Sequence, residues 1–256
     1  MTARRPERRP VRSTRLVERR LGDRVELWTE TVGSLPPVYG ERWKELDTRT
    51  VRSFEPGRSK LAAGVVKGWR GPLPSPGERW LYLGAASGTT ASHVADLVGP
   101  AGGVYAVERS LRPFARLLAL AQRWPNLFPI LGDAREPSDY ADLVWFCDGL
   151  YADVAQADQV EIVRRNAAIF LRGSGAAVVV ALKTSSMGRD RSAAGHLERA
   201  EDELSEIVDL TTSVRLDPFH RAHYLVGGTA RVPERSATGA SELTRGRAPP
   251  RGRSRS

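Results

Sequence analysis

A doubly wound α/β fold around a mostly parallel sheet is what three features of this sequence predict. From Trp80 onward, short apolar runs alternate with helical patterns, as in a chain of strand–helix units. The runs are nearly continuously apolar instead of alternating, which suits strands covered on both faces. The first of them, "WLYLGAASGTTASHVADLVG" (Trp80–Gly99), passes from strand to helix through a turn of small residues. Such a turn leaves backbone N–H groups and a helix N-terminus open to the polar end of a ligand.

Taken in order, residues 1–20 read as a disordered basic arm and residues 21–52 as a small β-rich N-terminal subdomain. Within the latter, "DRVELWTETVG" (Asp23–Gly33) alternates as a half-buried strand does, and "SLPPVYGERW" continues as a turn and an extended piece. Residues 53–230 form the α/β domain. It begins with a helix over Arg58–Trp69, ended by the connector "GPLPSPGER". Strands "RWLYLGA", "GVYAVER", "LFPILGDA", "DLVWFCDGLYADVA" and "GAAVVVALKTSS" follow, with helices "TTASHVADLVG", "RPFARLLALAQR", "QADQVEIVRRNAAIFL" and "GHLERAEDELSEIV" between and after them. "DLTTSVRLDPF" and "RAHYLVGGTA" close the domain as an antiparallel pair, and residues 231–256 read as a disordered Arg-rich tail.

The net charge of +9 is unevenly placed. Residues 1–20 carry eight Arg and two Glu, and residues 231–256 carry seven Arg and two Glu, so the remaining body has a net charge of −2. Polyanion binding is therefore expected of the arms and not of the folded body alone. Cys147 is the single cysteine, which excludes a disulfide framework or a zinc cluster within the chain. No apolar run reaches the ~18 residues of a membrane span, and no signal peptide opens the chain, so a cytoplasmic protein with no membrane partner is expected. Trp69, Trp80, Trp124 and Trp145 are expected in or around the core, and His93 and His196 as surface or packing residues.

In a sheet of this kind the ligand sits beyond the carboxyl ends of the strands. Those ends here are Gly84–Thr90, Glu108–Arg109, Asp133–Ala134 and Asp153–Gln156. Glu108 is placed to accept ribose hydroxyls, and Asp133 suits the exocyclic amine of a purine. A dinucleotide fingerprint G-x-G-x-x-G would need glycines where Gly84, Ala86 and Thr89 stand. Two of the three are absent, which disfavours close approach by a pyrophosphate and favours S-adenosylmethionine over NAD.

The motifs "LYLGAASGTTASHVADLVGPAGGVYAVE", "DAR", "YADVAQADQ", "NAAIFLR" and "LDPF" together resemble fibrillarin, the 2′-O-methyltransferase family of box C/D RNA-guided particles, from about Tyr39 to Thr229. The resemblance implies a Rossmann-like methyltransferase sheet, an archaeal-type chain without a long Gly/Arg-rich N-terminal domain, and methyl transfer to ribose in rRNA and tRNA. It also implies a cofactor pocket lined by Thr89, Thr90, Glu108, Arg109, Asp133, Ala134, Asp153, Val154, Ala155 and Gln156, to which the small-residue turn adds Gly84, Ala85, Ala86 and Gly88. The partners implied are guide and substrate RNA, a Nop-type scaffold protein and a kink-turn-binding ribosomal-type protein.

A ribose hydroxyl needs a proton acceptor in the transition state. Lys183 ends an apolar strand, with Lys60 and Asp153 available to orient it. By the resemblance, the catalytic group is Lys60, Asp153, Lys183 and His223. The family usually reads "EPYERDH" where this chain reads "DPFHRAH", so a second histidine, His220, stands close by. Arg58, Lys67 and Arg70 surround Lys60 as a basic helix face. The competing expectation is a non-catalytic structural subunit that binds RNA through its arms.

Overall fold

The computed structural model describes residues 15–22, 24–188 and 192–231. Most of the N-terminal arm and the tail beyond Arg231 lie outside these residues.

An antiparallel sheet comes first, built from β1 (Leu16–Leu21), β2 (Arg24–Glu30), β3 (Trp43–Leu46) and β4 (Arg49–Ser53) in the order β1-β2-β4-β3. β1 corrects the boundary of the basic arm. Leu16–Arg20, expected to be disordered, pair with β2 in a register that runs from Leu16↔Thr29 to Leu21↔Arg24, and Gly22, with φ of +60°, begins the reversal. An edge strand tolerates exposed arginines on its outer face, so composition alone masks it.

The second sheet has seven strands: β5 (Arg79–Leu83), β6 (Gly103–Glu108), β7 (Leu127–Leu131), β8 (Gly149–Ala152), β9 (Ala177–Lys183), β10 (Val208–Arg215) and β11 (His223–Ala230). Their order is β10-β11-β9-β8-β5-β6-β7, parallel from β9 to β7 and antiparallel at β11 and β10, as expected. Helices α1 (Lys60–Val66), α2 (Thr89–Val98) and α3 (Leu111–Ala121) contribute Leu61, Val94 and Leu117 to the core on one face. Helices α4 (Gln159–Phe170) and α5 (Ala193–Ser205) cover the other with Ile162, Val163, Ala200 and Leu204. The chain leaves β5 for β6 and β7 on one side and returns to β8 on the other, so the strand order reverses between β5 and β8. That is where a crevice opens in such sheets.

Several elements are shorter than expected. The strand over "DLVWFCDGLYADVA" shrinks to Gly149–Ala152, because a 3₁₀ segment at Pro137–Leu143 and irregular chain occupy the preceding stretch. Trp145 is exposed, 69% accessible, with the Arg79 guanidinium 5.7 Å from its ring, contrary to the expectation of core packing. Trp69, Trp80 and Trp124 are buried as expected, and Cys147 is buried too. The first helix spans only Lys60–Val66 and ends at Gly68, whose φ of +92° no branched residue would accept readily.

A buried ionic knot ties the first sheet to α2, which covers the second. Arg52 donates to Asp96 at 2.6 Å, Glu41 at 3.0 Å and Ser92 at 2.9 Å. Asp96 also accepts from Thr29, Thr31, the Val32 backbone and the Trp124 indole. His93 lies inside this knot as a packing residue, hydrogen-bonded to Thr29 and Tyr39, and burial pushes its pKa well down. Among the described residues no helix is long and apolar enough to cross a membrane.

Candidate active site

A cavity of about 380 Å³ opens at the strand-order reversal, of the size that holds a small ligand. Four strand ends line it: Gly84 and Ala86 after β5, Val107–Ser110 at β6, Gly132–Ala134 after β7, and Asp153–Gln156 after β8, with Ile162 from α4. Gly84 is required there. Its φ is +77°, and a Cβ would come within 2.5 Å of the Asp153 carbonyl oxygen.

Glu108 is almost fully buried and serves as the hinge of the turn. One carboxylate oxygen accepts from the Ala86 N–H at 2.9 Å and the other from the Ser110 N–H at 2.7 Å. Each oxygen keeps a lone pair for a further donor. Asp133 is held by Arg135 at 2.6 Å and faces Arg109 at 3.7 Å. The Arg135 hydrogen bonds push its pKa down to about 2. Among the lining side chains three are carboxylates, Glu108, Asp133 and Asp153, and one is a guanidinium, Arg109. That balance suits a ligand with a cationic centre and opposes a pyrophosphate.

Of the expected pocket residues, Ala85, Gly88, Thr89 and Thr90 are not on the cavity wall. Ala85 is buried in the core. A Cβ on Gly88 would strike Leu120 and Leu117, so this glycine serves helix–helix packing. Thr89 sits half-buried at the start of α2, its carbonyl accepting from the Ser92 hydroxyl. Thr90 is buried and donates to Ser59 at 3.1 Å, and Ser59 caps α1 by accepting from the Ala62 N–H. Thr90 therefore supports Lys60 through the cap and does not line the cavity. Val107, Ser110, Gly132 and Ile162 do line it and were missed from sequence. A serine just before the apolar run of α3 is a helix-start signal that could have found Ser110.

Strand alternation assembles the basic group. Tyr151, Val179, Ala181 and Leu225 belong to the core beneath α1 and α2. Asp153, Lys183 and His223 each stand two residues from one of these, on the same face of the sheet. His223 is directly paired with Lys183 across β11 and β9. α1 brings Lys60 onto that face, where its Nζ donates to both Asp153 oxygens at 2.8 Å. Lysine at the first position of a helix sits at the wrong end of the dipole, and Asp153 offsets that conflict. The Lys183 amine has no ion pair among the described residues, so of the two lysines Asp153 holds Lys60.

His223 donates from Nδ1 to the Arg221 carbonyl at 2.8 Å, which leaves Nε2 as an acceptor. Its ring stands 6.0 Å from that of His220. Burial, with the nearby Lys60 cation, lowers the pKa of both histidines, so both imidazoles are neutral near pH 7.

The family model for fibrillarin matches residues 15–232. The chain belongs to the fibrillarin family. It is 43% identical over 214 residues to the rRNA 2′-O-methyltransferase fibrillarin of Eremothecium gossypii, covering 79% of this chain and 65% of the relative. The chain thus spans just under two thirds of that fibrillarin's length. Aeropyrum pernix fibrillarin, solved with natively bound S-adenosyl-L-methionine, is 40% identical with a TM-score of 0.72, over 81% of this chain and 89% of that one. A fibrillarin/Nop5p complex contains a chain 38% identical with the same TM-score of 0.72, covering 81% and 94%.

Proposed function

We propose that this fibrillarin-family chain is an S-adenosylmethionine-dependent ribose 2′-O-methyltransferase acting on rRNA, and on tRNA, within a box C/D ribonucleoprotein. One observation carries the reading: Asp153 both lines the nucleoside-sized cavity and holds Lys60, so ligand pocket and basic group share a residue. The S-adenosyl-L-methionine bound by the Aeropyrum fibrillarin and the Nop5p bound in the second structure support the cofactor and a Nop-type scaffold partner.

The donor set fits that cofactor. Glu108 has lone pairs left for ribose hydroxyls, and the excess of carboxylates suits a sulfonium; Asp133, whose two oxygens already accept from the Arg135 backbone and guanidinium, takes an exocyclic amine in exchange for one of those bonds. Bound there, S-adenosylmethionine supplies a methyl group already activated by its positive charge. The chain's own work is alignment and proton removal. Asp153 fixes Lys60 as a cation beside the reacting hydroxyl. Lys183, on the same face and with no ion pair among the described residues, takes the hydroxyl proton, and the neutral His223 offers Nε2 as a further acceptor.

Guide RNA pairing selects the nucleotide, and a kink-turn-binding ribosomal-type protein completes the particle. This division of labour is consistent with a folded body whose net charge is −2 outside the arms. The test is methyl transfer from labelled cofactor with scaffold protein, kink-turn protein and guide reconstituted, followed by mapping of the product nucleotide. Label on the ribose opposite the guide's specified position supports the reading. RNA that assembles but acquires no label overturns it in favour of a structural subunit.

A further inference from the structure

The segment between β10 and β11 touches both lysine-bearing elements, although neither lysine belongs to it. On one side, the Ala222 carbonyl accepts from the Thr184 backbone N–H and from its hydroxyl, each at 3.1 Å, immediately after Lys183. On the other, His220 Nε2 donates to the Pro56 carbonyl at 2.9 Å, in the turn that leads into α1 and Lys60. Residues 56 and 220 are 164 positions apart, so this is a tertiary clamp and no local turn. Its own base is firm: the His220 N–H donates to Leu216 at 3.1 Å, Leu216 donates to the His223 carbonyl at 3.0 Å, and Leu216 is fully buried.

From this geometry we infer that His220 is a positioning residue that holds the Lys60 end of α1 at a set distance from Lys183. The inference rests on the methyltransferase reading above. α1 is only seven residues long, a marginal length for a helix by itself, and the turn before it has few bonds of its own: the Arg58 and Ser59 N–H groups donate to the Glu55 carbonyl at 3.0 and 3.1 Å, and the Ser59 hydroxyl accepts from Thr90. The Pro56 carbonyl is reached by the imidazole of a different strand pair, so the clamp fixes the turn relative to β11 and therefore to His223 and Lys183. Among the described residues no hydrogen bond or ion pair joins His220 to Lys60, and His220 is not one of the cavity-lining residues. It acts through the turn at residues 55–59, and its neutral ring donates from Nε2 without adding a charge beside Lys60.

The test combines hydrogen exchange with kinetics on the full chain. In His220→Ala, amides of a peptide covering residues 54–63 should exchange at least fivefold faster, while a peptide covering residues 81–98 is unchanged and so reports an intact fold. In the reconstituted particle, the single-turnover rate at saturating cofactor should fall at least tenfold, with cofactor affinity within twofold of wild type. His220→Gln, whose amide nitrogen can replace Nε2 as donor, should recover both the exchange protection and most of the rate. Unchanged exchange at residues 54–63 in His220→Ala overturns the clamp. Faster exchange with an unaltered rate, or a lost rate that Gln does not restore, overturns the positioning role. A wild-type chain that transfers no methyl group sinks the methyltransferase reading itself, an outcome separate from a variant that equals an active wild type.

Discussion

Lys60 and Asp153 lie 93 residues apart in the chain, yet the lysine Nζ stands 2.8 Å from both carboxylate oxygens. The pair joins the first residue of α1 to the residue that follows β8, and so ties the helix layer to the mouth of the cavity. Replacing Asp153 with Asn keeps the volume and removes the charge that holds the amine. Methyl transfer should fall by about 100-fold, the scale on which lost alignment acts. Single-turnover assays at saturating cofactor check this, and a rate within threefold of wild type would remove the pair from the mechanism.

Lys183 should behave as a base and not as a fixed charge. Lys183→Ala should abolish transfer with little change in cofactor affinity, because the cavity wall is built from other strand ends. Lys183→Arg should fail as well, since a guanidinium keeps its proton at any workable pH. Near-normal turnover in Lys183→Arg would mean that position 183 supplies only charge or orientation.

Glu108 should matter twice, to the ligand and to the turn. Glu108→Ala removes the acceptor for Ala86 and Ser110 as well as any ribose contact. Cofactor binding should weaken by about 1.5–3 kcal/mol, the range for hydrogen bonds to a charged group. Calorimetry reads this directly, and it should also find no tight NAD binding in the wild type. Tight NAD binding without S-adenosylmethionine binding would overturn the pocket assignment.

The arms separate into two kinds of truncation. Removing residues 1–14 and 232–256 should flatten the salt dependence of non-specific RNA binding and leave guided methylation largely intact. Extending the N-terminal cut to residue 20 should also lower thermal stability. It deletes most of β1 and with it Arg15, which donates to the Asp96 carbonyl at 2.7 Å and pairs with Glu30 at 2.9 Å. Equal melting temperatures for the two truncations would show that β1 contributes nothing to the fold.

Acid should destabilise the protein through His93. Burial, and secondarily Arg52, holds its folded-state pKa well below the unfolded value of about 6.5. Above that pH both states are neutral and the stability is fully present. As pH falls below it, the unfolded chain takes up the proton first, so stability is lost toward the depressed folded pKa. Thermal melts between pH 8 and 5 should show this decline, and His93→Gln should make it shallower. An identical slope in the variant would place the acid sensitivity elsewhere.

Much of this was legible along the chain. The apolar runs of β5, β6 and β9 announce strands buried on both faces, because a doubly covered strand has no polar face to display. The small-residue turn after β5 and the acidic residue ending β6 marked the cavity, because close backbone approach and a strand-end carboxylate are local properties. Asp153 and Lys183 were legible as strand-end residues, whereas the full group of Lys60, Asp153, Lys183 and His223 was named through the family resemblance.

What only the tertiary structure decided follows from register and packing. β1 was hidden because an edge strand rich in arginine has the composition of a disordered arm. Gly88 and Thr90 sit in the ligand turn by sequence, yet Leu117, Leu120 and Ser59 claim them from α3 and from the cap of α1. The choice of Lys60 over Lys183 as the partner of Asp153 depends on where a seven-residue helix lands on the sheet. The separate duties of His220 and His223 likewise depend on a strand register that sets one against Lys183 and turns the other toward Pro56. Local chemistry is written residue by residue, whereas these pairings join separate segments, 31 positions apart for Thr90 and Ser59, 93 for Lys60 and Asp153 and 164 for His220 and Pro56, and exist only once the layers have packed.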